Sequence, residues 1–395
     1  MKRDAQALRV SLGELDRGLL RRRHATVATD SAAGDWPSVI VDGRRAVDFC
    51  SNDYLALARH PDIAAAMAAA VLRHGAGSGA SHLVGGHGVE HARLEEELAS
   101  FTGRERALLF STGYMANLAV IGALVGRGEL ALLDRLSHAS LIDGALLSGA
   151  RLKRFPHGDA EAAERALLTN STASALLATD GVFSMDGDCA PLAALARVSS
   201  AHGAWLLVDD AHGLGVLGAS GRGTLEHFGL DEEAVPVLVG TLGKAFGTFG
   251  AFAAGPADLI EFLLQKARPY VYTTALPQAV AAATRQALLI AARESWRRER
   301  VLELARRFRA AAHALDMPVI ASETPIQPVV LGSTARALAA QEALLAAGFW
   351  VAAIRPPTVA RGSARLRIAL SAAHTEGQVD ALAETLGRIC TGLAP

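Results

Sequence analysis

A chain of 395 residues, half of them hydrophobic, is long enough to bury a sizeable core and sets an expectation of two or three domains. Its 39 basic and 40 acidic side chains leave a net charge of −1 with the positive charge dispersed, which argues against nucleic acid as a partner. Three scattered cysteines (Cys50, Cys189, Cys390) exclude a disulfide framework or a paired-cysteine metal site, and charges interrupt every apolar run before membrane-spanning length.

Lys2, Arg3, Asp4, Glu14 and Asp16 fall where a secretory signal needs an apolar stretch, so a cytoplasmic location is expected. Residues 4–23 read as an amphipathic helix, with Leu8, Leu12, Leu15 and Leu19 at three- and four-residue spacing. Arg21-Arg22-Arg23 by itself reads as its solvated end. From about 46 to 285, short apolar runs alternate with helical stretches: 107–110, 130–133, 175–178, 205–208 and 237–239 are the expected strands. That alternation predicts an α/β fold, a largely parallel sheet covered by helices, with ligands at the carboxyl ends of the strands. Beyond 285 a long helix is expected over roughly 284–315, with Arg297, Arg298, Glu299 and Arg300 on its solvated face. A strand (327–331), a helix (335–347), two strands (350–354, 365–370) and a last helix opened by a capping box at Thr375–Gln378 complete a smaller α+β domain. The expected organisation is an N-terminal arm (1–45), a large domain (46–285) and a small C-terminal domain (286–395).

Lysine is scarce, with four in the chain, yet Lys244 sits in the glycine-framed turn Gly240-Thr241-Leu242-Gly243-Lys244-Ala245-Phe246-Gly247 after an apolar strand. A primary amine forms a Schiff base with an aldehyde, which a guanidinium cannot do. Thirty-five residues earlier a buried strand runs into Asp209-Asp210-Ala211-His212. An amine for an aldehyde and a carboxylate for a pyridine nitrogen are what pyridoxal phosphate requires. Ser111–Asn117 follows a strand and opens a helix, so Gly113 offers backbone N–H groups to a phosphate, and Thr241 a hydroxyl. His138 follows another strand end, where it can stack on a ring or relay a proton. Ser184 can reach a ring hydroxyl but lacks the Gly-x-Ser-x-Gly context of a hydrolase nucleophile.

Two motifs compete with this reading. Gly75–Gly88 is glycine-rich but follows a helix (Ile63–Arg73), so it reads as a substrate-covering loop and not a dinucleotide fingerprint. His87-Gly88-Val89-Glu90-His91 spells the inverted zinc-peptidase pattern, but the surrounding glycines place the helix start inside the motif. No metal centre is expected.

Taken together, Ser51–Leu55, Asp134–Ser140, Gly181–Gly187, Val208–Gly213, the Lys244 turn and Ala353–Val359 resemble the α-oxoamine synthase family of pyridoxal phosphate enzymes over nearly the whole chain. The resemblance implies the fold type I architecture of the aspartate aminotransferases and a homodimer with the site at its interface. It implies that Lys244 carries the cofactor, Asp209 pairs with the pyridine nitrogen and His138 stacks on the ring. Ser184 and His212 would contact the ring hydroxyl side, Gly113 and Tyr114 would present backbone, and Thr241 would lie near the phosphate. Arg367 would grip the amino-acid carboxylate beside Asn52, while Arg21 and Thr358 would meet the acyl substrate. Ile354-Arg355-Pro356-Pro357-Thr358 points to the branch that condenses L-alanine with a pimeloyl thioester, on coenzyme A or acyl carrier protein, in biotin biosynthesis. Sister activities use glycine or serine with other thioesters. Ala56, where many relatives carry glycine, and Ala360-Arg361 depart from the family pattern.

Overall fold

The computed structural model describes residues 5–30, 36–170 and 174–392. The chain divides into two compact units, Met1–Ser51 with Met185–Gly187 and Leu302–Pro395, and Asn52–Ser184 with Asp188–Val301.

The smaller unit opens with α1 (Ala5–Arg17), β1 (Val27–Thr29), β2 (Ser38–Val41) and β3 (Arg44–Asp48). The helix expected over 4–23 is shorter, and Asp4 lies outside the described residues. It stops because Leu19 takes a left-handed φ of 53°, and Leu20 N–H turns back to the Leu15 carbonyl at 2.8 Å. β1, β2 and β3 form an antiparallel meander.

The larger unit carries α2 (Pro61–His74), a 3-10 turn (His82–Val84), α3 (Val89–Thr102), β4 (Arg106–Phe110), α4 (Gly113–Leu124), β5 (Leu130–Asp134), α5 (Ala139–Ser148) and β6 (Arg151–Phe155). It continues through α6 (Ala160–Leu168), β7 (Ala175–Asp180), α7 (Leu192–Ala201), β8 (Trp205–Asp209), α8 (Thr224–His227), β9 (Val237–Thr241) and β10 (Ala251–Gly255). Three helices follow, α9 (Ala257–Lys266), α10 (Arg268–Val271) and α11 (Gln278–Arg293), and then α12 (Trp296–Ala314), which begins in this unit and belongs to the smaller one from Leu302.

The seven strands stand in the order β4-β10-β9-β8-β7-β5-β6, with β10 antiparallel to both neighbours and every other pairing parallel. Side chains alternate across the sheet. Leu108, Leu133, Ala178, Leu207 and Val239 pack with Val120, Leu141 and Ile260 on one face; Leu132, Leu177, Val208 and Leu238 pack with Leu167 and Leu195 on the other. Each fully buried leucine contributes about 1.5–3 kcal/mol of hydrophobic stabilisation, and the two helix layers leave the strand ends as the place where polar side chains gather.

The long helix expected over 284–315 is two helices, α11 and α12, and its supposed solvated face is partly buried. Arg297 and Arg298 are 9% and 7% exposed. Arg297 donates to the Leu55 carbonyl at 2.9 Å and to Glu294 at 2.7 Å, while Arg298 donates to the Ala291 carbonyl at 2.8 Å and to Ala219 at 3.1 Å. The guanidiniums thus satisfy carbonyls at and around the break. Glu299 stays exposed as expected.

The smaller unit resumes with β11 (Ile326–Gly332), α13 (Thr334–Ala346), β12 (Phe349–Trp350), β13 (Ala352–Ile354), β14 (Ala364–Ala369) and α14 (Glu376–Gly392). β12 joins β3 in parallel, and β11-β14-β13 form an antiparallel sheet in which Arg367 lies opposite Pro328 and Ala352. The capping box forms: Gln378 N–H donates to Thr375 Oγ1 at 3.2 Å, and Thr375 N–H to Gln378 Oε1 at 2.9 Å. Among the described residues no helix is long and apolar enough to cross a membrane.

Candidate active site

Two adjacent strands of the larger unit, β8 and β9, end at Asp209 and Thr241, and the turn after β9 carries Lys244. Gly247 closes that turn at φ 66°, and a Cβ there would stand 2.3 Å from the Ala58 backbone nitrogen. The lysine is therefore held by backbone packed against backbone.

Lys244 Nζ lies 2.8 Å from His212 Nε2, and His212 Nδ1 lies 2.7 Å from Tyr54 Oη, which reaches Asn52 Oδ1 at 3.1 Å. One direction of donation satisfies the whole row: ammonium to Nε2, Nδ1–H to the phenol oxygen, phenol to the amide oxygen. His212 is buried, and this row fixes its tautomer.

Asp209 is 7% exposed and, among the described residues, receives only neutral donors, Asn117 Nδ2 at 2.6 Å and the Ala211 N–H at 3.1 Å. Asn117, on the buried face of α4, also donates to Ser140 Oγ at 2.9 Å, and its own Oδ1 is buried with no hydrogen-bond partner. His138 caps α5, its Nδ1 lying 2.7 Å from Ser140 Oγ, and its ring is exposed. Its neighbours still crowd it: burial lowers the imidazole below its ordinary value, the Asp209 charge opposing and the Lys244 charge assisting. The His138 N–H donates to Asp180 Oδ2 at 2.9 Å. Burial, then the Asp209 charge, pushes the Asp180 carboxyl well above the carboxylate range, and burial lifts the Asp210 carboxyl to about 7.

Gly113 and Tyr114 form the first turn of α4, capped by Thr112 Oγ1, which accepts the Met115 N–H at 3.2 Å. Nothing lies within 4 Å of where a Gly113 Cβ would be. The Tyr114 hydroxyl donates to Asp143. Thr241 Oγ1 donates to the Gly250 carbonyl at 3.1 Å, and Ser184 is half-buried in the loop after β7. The larger unit thus brings Lys244, His212, Asn52, Asp209 and His138 into two connected networks. Arg21, Thr358 and Arg367 belong to the smaller unit. There Arg21 pairs with Asp16 at 2.7 Å, Arg22 donates to Thr358 Oγ1 at 2.9 Å, and Arg367 is 6% exposed on β14. A cleft of about 660 Å³ beside Arg22 is lined by Leu15, Leu20, Pro356, Pro357 and Val359.

Sequence reasoning assigned no role to Asn117, Tyr54 or Asp180. Asn117 carried a signal all the same, as a polar side chain one turn beyond Gly113 on a helix otherwise built from apolar and small residues.

These residues fit pyridoxal phosphate. A buried carboxylate with only neutral partners calls for a protonated nitrogen, an amine stands ready for an aldehyde, and an uncluttered helix start suits a phosphate. The fold and the site together place the chain in a known class: it belongs to the family of class I and II aminotransferases, matched over residues 44–386. It is a pyridoxal-phosphate-dependent enzyme. Within that class the chain is 62% identical to the 8-amino-7-oxononanoate synthase of Methylococcus capsulatus, over 88% of this chain and 90% of that one. A serine palmitoyltransferase variant from S. paucimobilis, solved with a bound PLP–myriocin aldimine, superposes with a TM-score of 0.91 at 30% identity, covering 99% of both chains. The 8-amino-7-oxononanoate synthase of Francisella tularensis superposes at 0.76 and 31% identity, covering 87% of this chain and 97% of that one.

Proposed function

We propose that this enzyme condenses L-alanine with a pimeloyl thioester, releasing 8-amino-7-oxononanoate, carbon dioxide and the free thiol carrier, as a step of biotin biosynthesis. The observation that carries the reading is the 62% identity to a named 8-amino-7-oxononanoate synthase, joined to the paired Lys244–His212 and Asp209–Asn117 contacts.

Bound pyridoxal phosphate supplies an electron sink for the donor α-carbon. Lys244 holds the cofactor through its amine and, when that amine is free, moves the α-proton. His212 serves the amine through the Nε2 lone pair, which the Tyr54–Asn52 row keeps available. Asp209, oriented by Asn117, holds the proton on the pyridine nitrogen. Gly113 and Tyr114 offer backbone, and Thr241 its hydroxyl, toward the phosphate, with Ser184 toward the ring hydroxyl. His138 would pack against the cofactor's ring and would donate to the thioester carbonyl oxygen as charge develops there. Arg367 clamps the alanine carboxylate with a planar fork, and Arg21 and Thr358 receive the acyl chain. The working form is a homodimer in the cytoplasm, and the carrier is coenzyme A or acyl carrier protein.

A second reading has an observation in its favour: the superposition on serine palmitoyltransferase is closer than that on the Francisella enzyme. It predicts another donor amino acid and acyl group on the same machinery. Thiol release by the cofactor-loaded protein, with pimeloyl, acetyl and succinyl thioesters crossed with alanine, glycine and serine, separates the two. Release confined to pimeloyl with alanine supports the first reading; release with glycine or serine and another acyl group replaces it.

A further inference from the structure

Three histidines that the proposed reaction does not use meet elsewhere in the larger unit. His82 stands on the 3-10 turn, His87 just before α3, and His91 in the first turn of that helix. One ring nitrogen from each lies within 4.8 Å of those of the other two. His82 Nδ1 and His87 Nδ1 are 2.9 Å apart, a distance at which two imidazoles share one proton. Tyr270 stacks on His82 with ring centroids 4.8 Å apart.

We propose that His82, His87 and His91 bind a divalent transition-metal ion of the copper–nickel class, at a site separate from the Lys244–Asp209 centre. The ion takes the place of the shared proton. Two nitrogens at this separation, each about 2.0–2.1 Å from a metal, subtend about 90° at it, the cis angle of a tetragonal ion; tetrahedral zinc needs them about 3.3 Å apart. The outer contact of one ring, His91, is already that of a metal ligand. His91 Nε2–H donates to the Leu276 carbonyl at 2.6 Å, which leaves Nδ1 as its lone-pair side. His87 Nε2 faces Glu95 Oε2 at 3.9 Å, and the other oxygen of Glu95 accepts the Leu109 N–H at 2.9 Å, so the carboxylate is anchored to β4. His91 Nδ1 accepts the Gly88 N–H at 2.9 Å, and it joins the ion by exchanging that donor, at a half-exposed residue, for the metal. His82 and His91 are buried and His87 is exposed, which gives the ion a way in.

This site binds without hydrolysing. The glutamate of the His-x-x-Glu-His string, Glu90, is held by Arg285 Nη1 at 2.7 Å, and α3 begins at Val89, after His87. A bound ion instead ties the 3-10 turn to the start of α3.

The test uses untagged, cofactor-loaded protein in chelator-free buffer, titrated with copper(II) and nickel(II) by equilibrium dialysis. Electron paramagnetic resonance then reads nitrogen splitting on the copper. The expected result is one ion per chain with splitting from two or more imidazole nitrogens. In His87→Ala the affinity falls by about tenfold or more, while circular dichroism of the metal-free variant shows it still folded, its melting temperature lowered only by the loss of the His82 contact. His313→Ala, on an exposed stretch of α12, leaves binding as it was. Cofactor-free protein also binds equally well, which separates the site from chelation by pyridoxal phosphate. Unchanged affinity in His87→Ala, or binding that requires the cofactor, would overturn the proposal.

Discussion

Asn117 sets the orientation of Asp209, since its amide at 2.6 Å is the side chain's shortest donor. Hydrogen bonds to charged groups contribute about 1.5–3 kcal/mol, so Asn117→Ala is expected to weaken cofactor binding by roughly tenfold or more. An absorbance titration with pyridoxal phosphate checks this, and unchanged affinity would show that Asp209 needs no such support. His157 bridges Asp134 at 3.0 Å and Asp188 at 2.9 Å, and these hydrogen bonds push its imidazole up to about 9. A histidine raised in the folded state stabilises below its unfolded value near 6.5, and that contribution is lost as pH rises through about 9. The melting temperature of the wild type should exceed that of His157→Asn at pH 6, with the gap closing toward pH 10. A gap independent of pH would mean that the ring acts only by packing against Phe183.

Among the elements, the turn between β9 and β10 tolerates little change. Gly247→Ala combines a left-handed φ with a Cβ driven into the backbone of Leu57 and Ala58. The left-handed conformation by itself costs an alanine about 1–2 kcal/mol, and the clash adds to it. We expect a lowered melting temperature together with faster cofactor loss, because the same turn carries Lys244. A variant that melts normally would show that the turn relaxes away from Ala58. Ala56, by contrast, bears its left-handed φ of 57° natively: Asp53 holds the turn through the Leu57 N–H at 2.8 Å, and Arg297 donates to the Leu55 carbonyl. That explains how an alanine is held in the left-handed conformation here.

For the molecule as a whole, the cofactor is a stabilising ligand. A ligand bound to the folded state alone stabilises it by about 4 kcal/mol when its concentration is a thousand times its dissociation constant. Removing pyridoxal phosphate should lower the melting temperature by several degrees, and Lys244→Ala should abolish the cofactor retained after borohydride reduction. Equal melting with and without cofactor would show that the site is not coupled to global stability. The class of the fold could be read from the sequence because parallel strands buried on both faces leave continuous apolar runs, and all five expected strands form. Two sheet strands were not foreseen: β6 is the polar edge strand Arg-Leu-Lys-Arg-Phe and leaves no apolar run, while β10, Ala-Phe-Ala-Ala-Gly, is apolar and buried but made mostly of residues with little preference for strands. Lys244, Asp209 and His138 were legible because each is a chemistry-bearing residue just past an apolar run, and strand ends are fixed by local pattern. Tertiary structure decided what no pattern of neighbours encodes: that Asn117 orients Asp209 across 92 residues, that Tyr54 fixes His212 across 158, and that Arg297 and Arg298 are buried at a helix break. Those contacts join groups whose separation along the chain carries no periodic signal, so only the folded sheet and its helices bring them within a hydrogen bond of one another.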